Sequence, residues 1–360
     1  MTSQRDSLPA RAWVEVDLGA IRRNAVRIAR RARVPILPMI KADGYGLGAL
    51  PVARALEPID PWGFGVATVP EGAELRRAGV RRRIIVFTPV GPGEFDAAAA
   101  AGLTLALGDG RAIAAWARAG GSYHLAIDTG MSRAGVPWHE VGSLADVLAA
   151  HPPEGAFTHF HSADRGDESR SRQEERFRSA LAALPQRPAV VHCENGPAVE
   201  HLAPSAWSLA RPGVFLYGVG SGGVLEPEPV ASVRGRVVDL RRLADGETVS
   251  YAATYRAVGD RVIATVGLGY ADGYRRAFGN RGSALVGGRR VPVAGVVTMD
   301  MMMLDVTEVP CAVGDVATLL GRDGLAEIPI GELARVGDLS PYELLTGLRG
   351  RLERVYVGEG

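Results

Sequence analysis

The chain reads as an α/β protein, a (β/α)8 TIM-type barrel followed by a mostly-β C-terminal domain. Two observations predict this. Eight short apolar runs alternate with helix-like segments between residues 35 and 218, the rhythm of a barrel of parallel strands. After about residue 227 the runs come closer together and are punctuated by Gly-Asp and Gly-Gly turns, as in antiparallel sheet. An open doubly wound sheet is the competing arrangement, but no G-x-G-x-x-G turn follows the first strand.

Taken in order, "AWVEVDL" (residues 12–18) is a strand, and "GAIRRNAVRIARRAR" follows with helical periodicity. The eight barrel strands are "PILPMIKA", "WGFGVATV", "RIIVFTPV", "LTLALGD", "SYHLAIDTG", "GAFTHFHSAD", "AVVHCENG" and "LARPGVFLYG". Most gaps, such as "PEGAELRRAG" and "SRSRQEERFRSALAAL", carry Ala, Arg, Glu and Leu at helical spacing, and "DAAAAAG" is read as helix. The gap after "AVVHCENG" has the weakest helical pattern. In the second domain, "VRGRVVDLRRL", "GETVSYAATYRA", "DRVIATVGLGY", "GSALVGGRRVPVAGVVTMDMMMLDV" and "GDVATLLG" read as strands, and two short helices, "IPIGELARVG" and "PYELLTGLRG", close the chain. The expected domains are therefore a barrel over 12–227 and a β domain over 228–360. Residues 1–11 are grouped with the β domain, and "PEPV" (227–230) is the linker.

The composition is that of an ordinary globular protein, 360 residues with 47% hydrophobic and 22% charged. Basic and acidic residues nearly cancel, 41 against 40, so neither nucleic acid nor an anionic membrane is an expected partner. The two cysteines, Cys193 and Cys311, cannot build a disulfide framework and are not at metal-ligand spacing. No metal is expected, and both thiols are read as reduced and buried. The first residues lack the apolar core of a signal peptide and no run reaches membrane-spanning length. A soluble, cytoplasmic protein is expected.

Barrel chemistry sits at the C-terminal ends of the strands. Lys41 ends the first, Asp128 the fifth and Asn195 the seventh, His159 falls near the end of the sixth, and Arg211 lies in the eighth. Taken singly each has an ordinary structural explanation, but together they converge on one barrel mouth. A lysine after so apolar a strand points to Schiff-base chemistry, because desolvation lowers the amine's pKa and frees its lone pair. In "RPGVFLYG", Gly213 and Val214 stand where backbone amides hold a phosphate. Lysine, phosphate cradle and the glycine-rich turn after the lysine suggest pyridoxal 5'-phosphate.

Beyond these residues, "MIKADGYGLG" resembles the lysine motif of alanine racemases. "IDTGMSRAG", "FTHFHSAD", "HCENG", "RPGVFLYG", "VSYAATY", "VGLGYADG" and "TMD" follow in that family's order from about residue 12 to 356. The resemblance implies pyridoxal-phosphate-dependent interconversion of L- and D-alanine, supplying D-alanine for cell-wall synthesis, by a homodimer whose active site is shared between subunits. It implies that Lys41 holds the cofactor through an imine and acts as one acid–base catalyst, with Tyr251 of the second subunit opposite. By position, Tyr45, Asn195, Gly196 and the amides of Gly213 and Val214 would bind the cofactor, with phosphate held by Tyr45 and the last two. His159 would lie against the pyridine and Arg211 on its nitrogen. Arg133 and the backbone of Met299 would take the substrate carboxylate, and Tyr270 with Met299 would narrow the entrance.

Four positions depart from the family pattern. Ala126 replaces a modified lysine that orients the substrate arginine, Gly196 replaces a serine phosphate ligand, Gly350 stands where a tyrosine touches phosphate, and Leu47 replaces a histidine. They leave open a racemase of another small amino acid such as serine, or a non-catalytic cofactor-binding paralogue. A decarboxylase of the same fold is disfavoured because its "EPGR" motif is absent and Tyr251 would be unexplained.

Overall fold

The computed structural model describes residues 10–201 and 204–358. The chain divides into two compact units, one formed by Ala20–Glu228 and the other by the chain up to Gly19 together with the chain from Pro229 onward.

In the first unit, Gly63–Val66, Arg83–Val86, Thr104–Leu107, Tyr123–Asp128, Gly155–Phe157 and Val190–His192 pair in parallel in that order. The first and eighth strands close the ring through the parallel bridges Met39 to Gly65, Ile36 to Ala210 and Asn195 to Arg211. Leu37 N donates to Ala210 O at 2.8 Å, and Met39 N to Pro212 O at 2.9 Å. These closing strands make isolated bridges rather than long ladders because Pro35, Pro38 and Pro212 lack an N–H to donate. Buried on both faces, the barrel strands are continuous apolar runs. Their inward side chains pack as Leu37, Ile85 and Leu209, with Ala106, Ala126 and Phe157 as a second group. Val69–Arg77, Gly110–Arg118 and Ser169–Ala182 are among the connecting helices.

The second unit is built on one long strand, Ala231–Leu243, which pairs antiparallel with Ala12–Asp17, Val316–Asp323 and Arg261–Val266. Two expectations need correction here. The strand at residues 12–17 belongs to this sheet and not to the barrel. Its alternating burial, with Ala12, Val14 and Val16 inward, is the pattern of a half-buried strand, unlike the barrel runs. The helices Ile330–Gly337 and Pro341–Thr346 do not end the chain, because Glu353–Val357 follows and pairs in parallel with Ala12–Asp17. The unit boundary falls between Glu228 and Pro229, inside "PEPV". Residues 1–9, grouped above with the β domain, lie outside the described residues. Among the described residues, no helix is long and apolar enough to cross a membrane.

Candidate active site

Lys41 stands at the barrel mouth on a turn of unusual hand. Ala42, Asp43, Gly44, Tyr45 and Gly46 all have positive φ, between 52° and 85°. Together they make one left-handed turn, closed by Gly44 N to Ile40 O at 2.9 Å and Gly46 N to Ala42 O at 2.8 Å. For L-residues this hand costs roughly 1–2 kcal/mol each, so the three non-glycine positions need support. Glu71 supplies part of it: one carboxylate oxygen accepts from Ala42 N at 2.8 Å, the other from Ala67 N at 2.7 Å and Thr68 N at 3.2 Å. Asp43 Oδ1 accepts from Ala49 N at 2.8 Å. Glu71 was not singled out from sequence. Its signal there is a capping box with Thr68 three residues earlier. The Lys41 amine is half-buried, and its pKa is lowered by that burial first and by the charge of Arg133 second, against the charge of Glu71.

Beside the turn lies a set of backbone donors. The N–H groups of Gly196, Gly213 and Val214 donate to no protein acceptor among the described residues. A Cβ built on Gly196 would sit 3.9 Å from Gly213 N, and one on Gly213 would come within 2.7 Å of the Tyr45 hydroxyl. Amides of two loops and a phenol therefore meet in one place, suited to an anion. Tyr45 is braced by stacking on Tyr217 at 4.5 Å, whose hydroxyl donates to Met39 O at 3.0 Å.

Arg211 is buried on the eighth strand. Nη2 donates to Thr158 O at 2.7 Å and Cys193 O at 3.2 Å, and Nη1 donates to His192 Nδ1 at 2.6 Å. Because a guanidinium only donates, His192 Nδ1 must be the bare nitrogen, so its proton lies on Nε2. That nitrogen is 2.7 Å from His124 Nδ1, which must accept in turn. The proton order along Arg211, His192 and His124 is thereby determined. Burial and the Arg211 charge lower both histidine pKa values, His124 to about 3. Arg211, lowered by burial to about 10, stays charged at neutrality. His159 is also lowered to about 3, by burial and then by Arg211, Arg133 and Lys41, so it lies at the mouth as a neutral ring and carries no charge onward.

Asn195 and Arg133 follow the seventh and fifth barrel strands. Asn195 uses both ends of its amide within the protein: Nδ2 donates to Phe160 O at 3.2 Å and Oδ1 accepts from Ala198 N at 3.1 Å. It positions the Gly196 loop. Arg133 is exposed on the loop after the fifth strand, and Ala126, two residues before Asp128, is packed among Ala106, Phe157 and Phe87. Of the cysteines, Cys193 is buried and Cys311 is only partly so, which corrects the expectation for the second; both are free.

The β unit carries Tyr251, Tyr270 and Met299. Tyr251 is 71% exposed on a turn where Ser250, Ala252 and Ala253 all have positive φ, 69°, 59° and 50°. Ser250 Oγ donates to Val296 O at 2.9 Å, and Asn280 clamps the other side, accepting from Gly295 N at 2.6 Å and donating to Thr254 O at 3.2 Å. The same loop, residues 295–301, accepts from Tyr270 N and Ala271 N, both at 2.9 Å, through Thr298 O and Met299 O. Asp272, fully buried, fixes this second turn by pairing with Arg11 at 2.6 Å and Arg351 at 3.2 Å. One loop thus holds both tyrosines and exposes Met299 at 53% and Tyr270 at 40%. The strand expected across "VSYAATY" is broken at Tyr251: Thr248–Val249 and Tyr255–Arg256 pair on either side of the turn.

A parallel barrel presenting a half-buried amine beside unpartnered amides defines an enzyme that binds a phosphorylated carbonyl cofactor. The family models "Alanine racemase, N-terminal domain" and "Alanine racemase, C-terminal domain" match residues 16–221 and 230–356. The chain belongs to the alanine racemase family, a pyridoxal-phosphate family. It is 40% identical to the alanine racemase of Symbiobacterium thermophilum over 371 residues, covering 96% of this chain and 97% of that one. The structure of the Bacillus anthracis enzyme with bound L-Ala-P is similar at a TM-score of 0.90 and 30% identity, covering 98% and 97%. That of the Bartonella henselae enzyme with covalently bound pyridoxal phosphate matches at 0.89 and 26% identity, covering 97% and 100%.

Proposed function

We propose that the chain racemises alanine with pyridoxal phosphate, using Lys41 and Tyr251 as the two proton-transfer groups. The observation that carries this reading is the Lys41 amine, its pKa lowered at the mouth of a barrel, beside three amides without a protein acceptor. The residues present fit the cofactor. Gly196, Gly213 and Val214 N–H with the Tyr45 hydroxyl would hold its phosphate, and Lys41 would bind its carbonyl carbon. His159 would lie on the ring as a neutral face, and Arg211 would stand at the pyridine nitrogen.

Pyridoxal phosphate supplies an electron sink that makes the Cα proton of a bound amino acid acidic. Lys41 Nζ takes or returns that proton on one face, and Tyr251 Oη does so on the other. Arg211 is already fully protonated and tied to Thr158, Cys193 and His192, so it offers a hydrogen bond without giving up its proton. Arg133 is the cation available for the substrate carboxylate, and the backbone of Met299 is its expected second contact. Tyr251 is mostly exposed on a braced turn, next in the fold to the exposed Tyr270 and Met299. Such a group of large apolar side chains fits an interface with a second copy of the chain. The domains acting here are the barrel and the β unit as bounded by Glu228 and Pro229.

The test is D-alanine formation from L-alanine with and without added cofactor, joined to borohydride reduction and peptide mapping. Lys41 should carry the reduced cofactor, and Lys41→Ala should abolish turnover. Cofactor fixed on another residue, or turnover of serine in preference to alanine, would reject the assignment.

A further inference from the structure

Glu200 lies on the short helix Gly196–His201, fully buried. Its two oxygens differ. Oε2 accepts from Ser221 N at 2.7 Å, while Oε1 is buried with no hydrogen-bond partner among the described residues. A Cβ built on Gly196 would be 3.7 Å from Oε1, and that same Cβ would be 3.9 Å from Gly213 N. The bare oxygen and the Gly213 amide thus both lie within 4 Å of the place a side chain at position 196 would begin.

A buried carboxylate with one unsatisfied oxygen is costly. Next to a bound phosphate dianion it would also face like charge, which favours the protonated carboxyl. A neutral carboxylic acid resolves both problems, because it has an O–H to give and Oε1 is the oxygen without a donor. We propose that Glu200, as the neutral acid, donates a hydrogen bond from Oε1 to the phosphate of pyridoxal phosphate. This takes the place of the hydroxyl that Gly196 lacks, and it rests on the reading that the cradle binds this cofactor.

The surroundings agree. Burial raises the Glu200 pKa, opposed by the Ser221 hydrogen bonds and the charge of His201, with Glu226 adding a smaller upward push. Across the cradle the facing ionisable group is the Tyr45 hydroxyl. A phosphate arriving beside Oε1 raises the pKa further, so binding takes up a proton. Affinity then weakens as pH rises through the value for the free protein.

The experiment titrates resolved protein with pyridoxal phosphate and, separately, with pyridoxal, which has no phosphate. Glu200→Gln keeps a donor and should bind the phosphorylated form within about threefold of wild type at the acid end of a pH series. Glu200→Leu should bind it about tenfold or more weakly, with pyridoxal changed less than about twofold. Adding Gly196→Ser to Glu200→Leu should recover most of the loss. Equal losses for both ligands, or no loss in Glu200→Leu, would overturn the proposal. If Glu200→Leu does not fold, the wild-type and Glu200→Gln pair decides. A ratio of Glu200→Gln to wild-type affinity that grows as pH rises supports it; a ratio constant across the pH range overturns it. Failure of wild type to bind either ligand would instead reject the cofactor reading itself.

Discussion

Replacing Glu71 by alanine is the sharpest test of how the amine is held. The side chain accepts from Ala42, Ala67 and Thr68 N–H, so Glu71→Ala leaves three backbone donors without their acceptor. These bonds are partly exposed, so water recovers some of the loss, and about 1 kcal/mol each is the appropriate scale. The expected destabilisation is about 2–3 kcal/mol, which for a unit of this size lowers Tm by about 5–10 °C. Thermal melts of the resolved protein read this directly. Glu71→Gln removes the charge that raises the Lys41 pKa. It keeps the side chain's size and one accepting oxygen, while its amide nitrogen cannot accept, so part of the backbone support goes with the charge. Removing the charge should move the alkaline rise in the rate of cofactor capture to lower pH. A Tm within about 1 °C of wild type in Glu71→Ala, or a capture profile that stays put or moves to higher pH in Glu71→Gln, would refute the reasoning.

If Lys41 and Tyr251 come from different subunits, mixing Lys41→Ala with Tyr251→Phe under subunit exchange rebuilds one intact site per mixed dimer. Random equal mixing makes about half the dimers mixed, so activity should return to roughly a quarter of wild type; exchange without recovery would reject the shared site. The pH dependence of stability is set partly by His124, His159 and His192, all held below their ordinary value. The unfolded chain, with histidines near 6.5, binds more protons below that pH. Stability should be complete above it and fall on acidification by up to about 1.4 kcal/mol per pH unit per histidine. A urea midpoint equal at pH 7 and pH 5 would contradict this.

The barrel was legible because strands buried on both faces leave unbroken apolar runs, and all eight were readable in order. What escaped was pairing at a distance. Ala12–Asp17 finds its partners more than 200 residues away, at Ala231–Leu243 and Glu353–Val357, and no local pattern announces which sheet a strand will join. At the site, residue types with obvious chemistry were readable, whereas support was not. The left-handed turn passes through Ala42 and Asp43, neither of which signals its backbone state. Asn195 also caps the helix Gly196–His201 and ties it to Phe160 O, a duty its residue type does not announce. Glu200 sits in "GPAVEH", where one acid at the end of a short helix reads as a surface residue, and only its burial reveals otherwise.

The two reversed turns have a consequence for anyone engineering this chain toward heat resistance. Ala42 and Ala252 hold backbone states, φ 52° and 59°, that glycine adopts with ease. A melting-temperature screen would therefore tend to select glycine at both. Yet each flanks a residue proposed to transfer protons, Lys41 or Tyr251, and glycine would let the neighbouring amine or phenol wander among conformations that alanine forbids. Heat tolerance and turnover would then pull the same codons in opposite directions. Libraries scored on survival alone would drift toward robust proteins with slack chemistry, so selection at these two positions has to read racemisation from the first round.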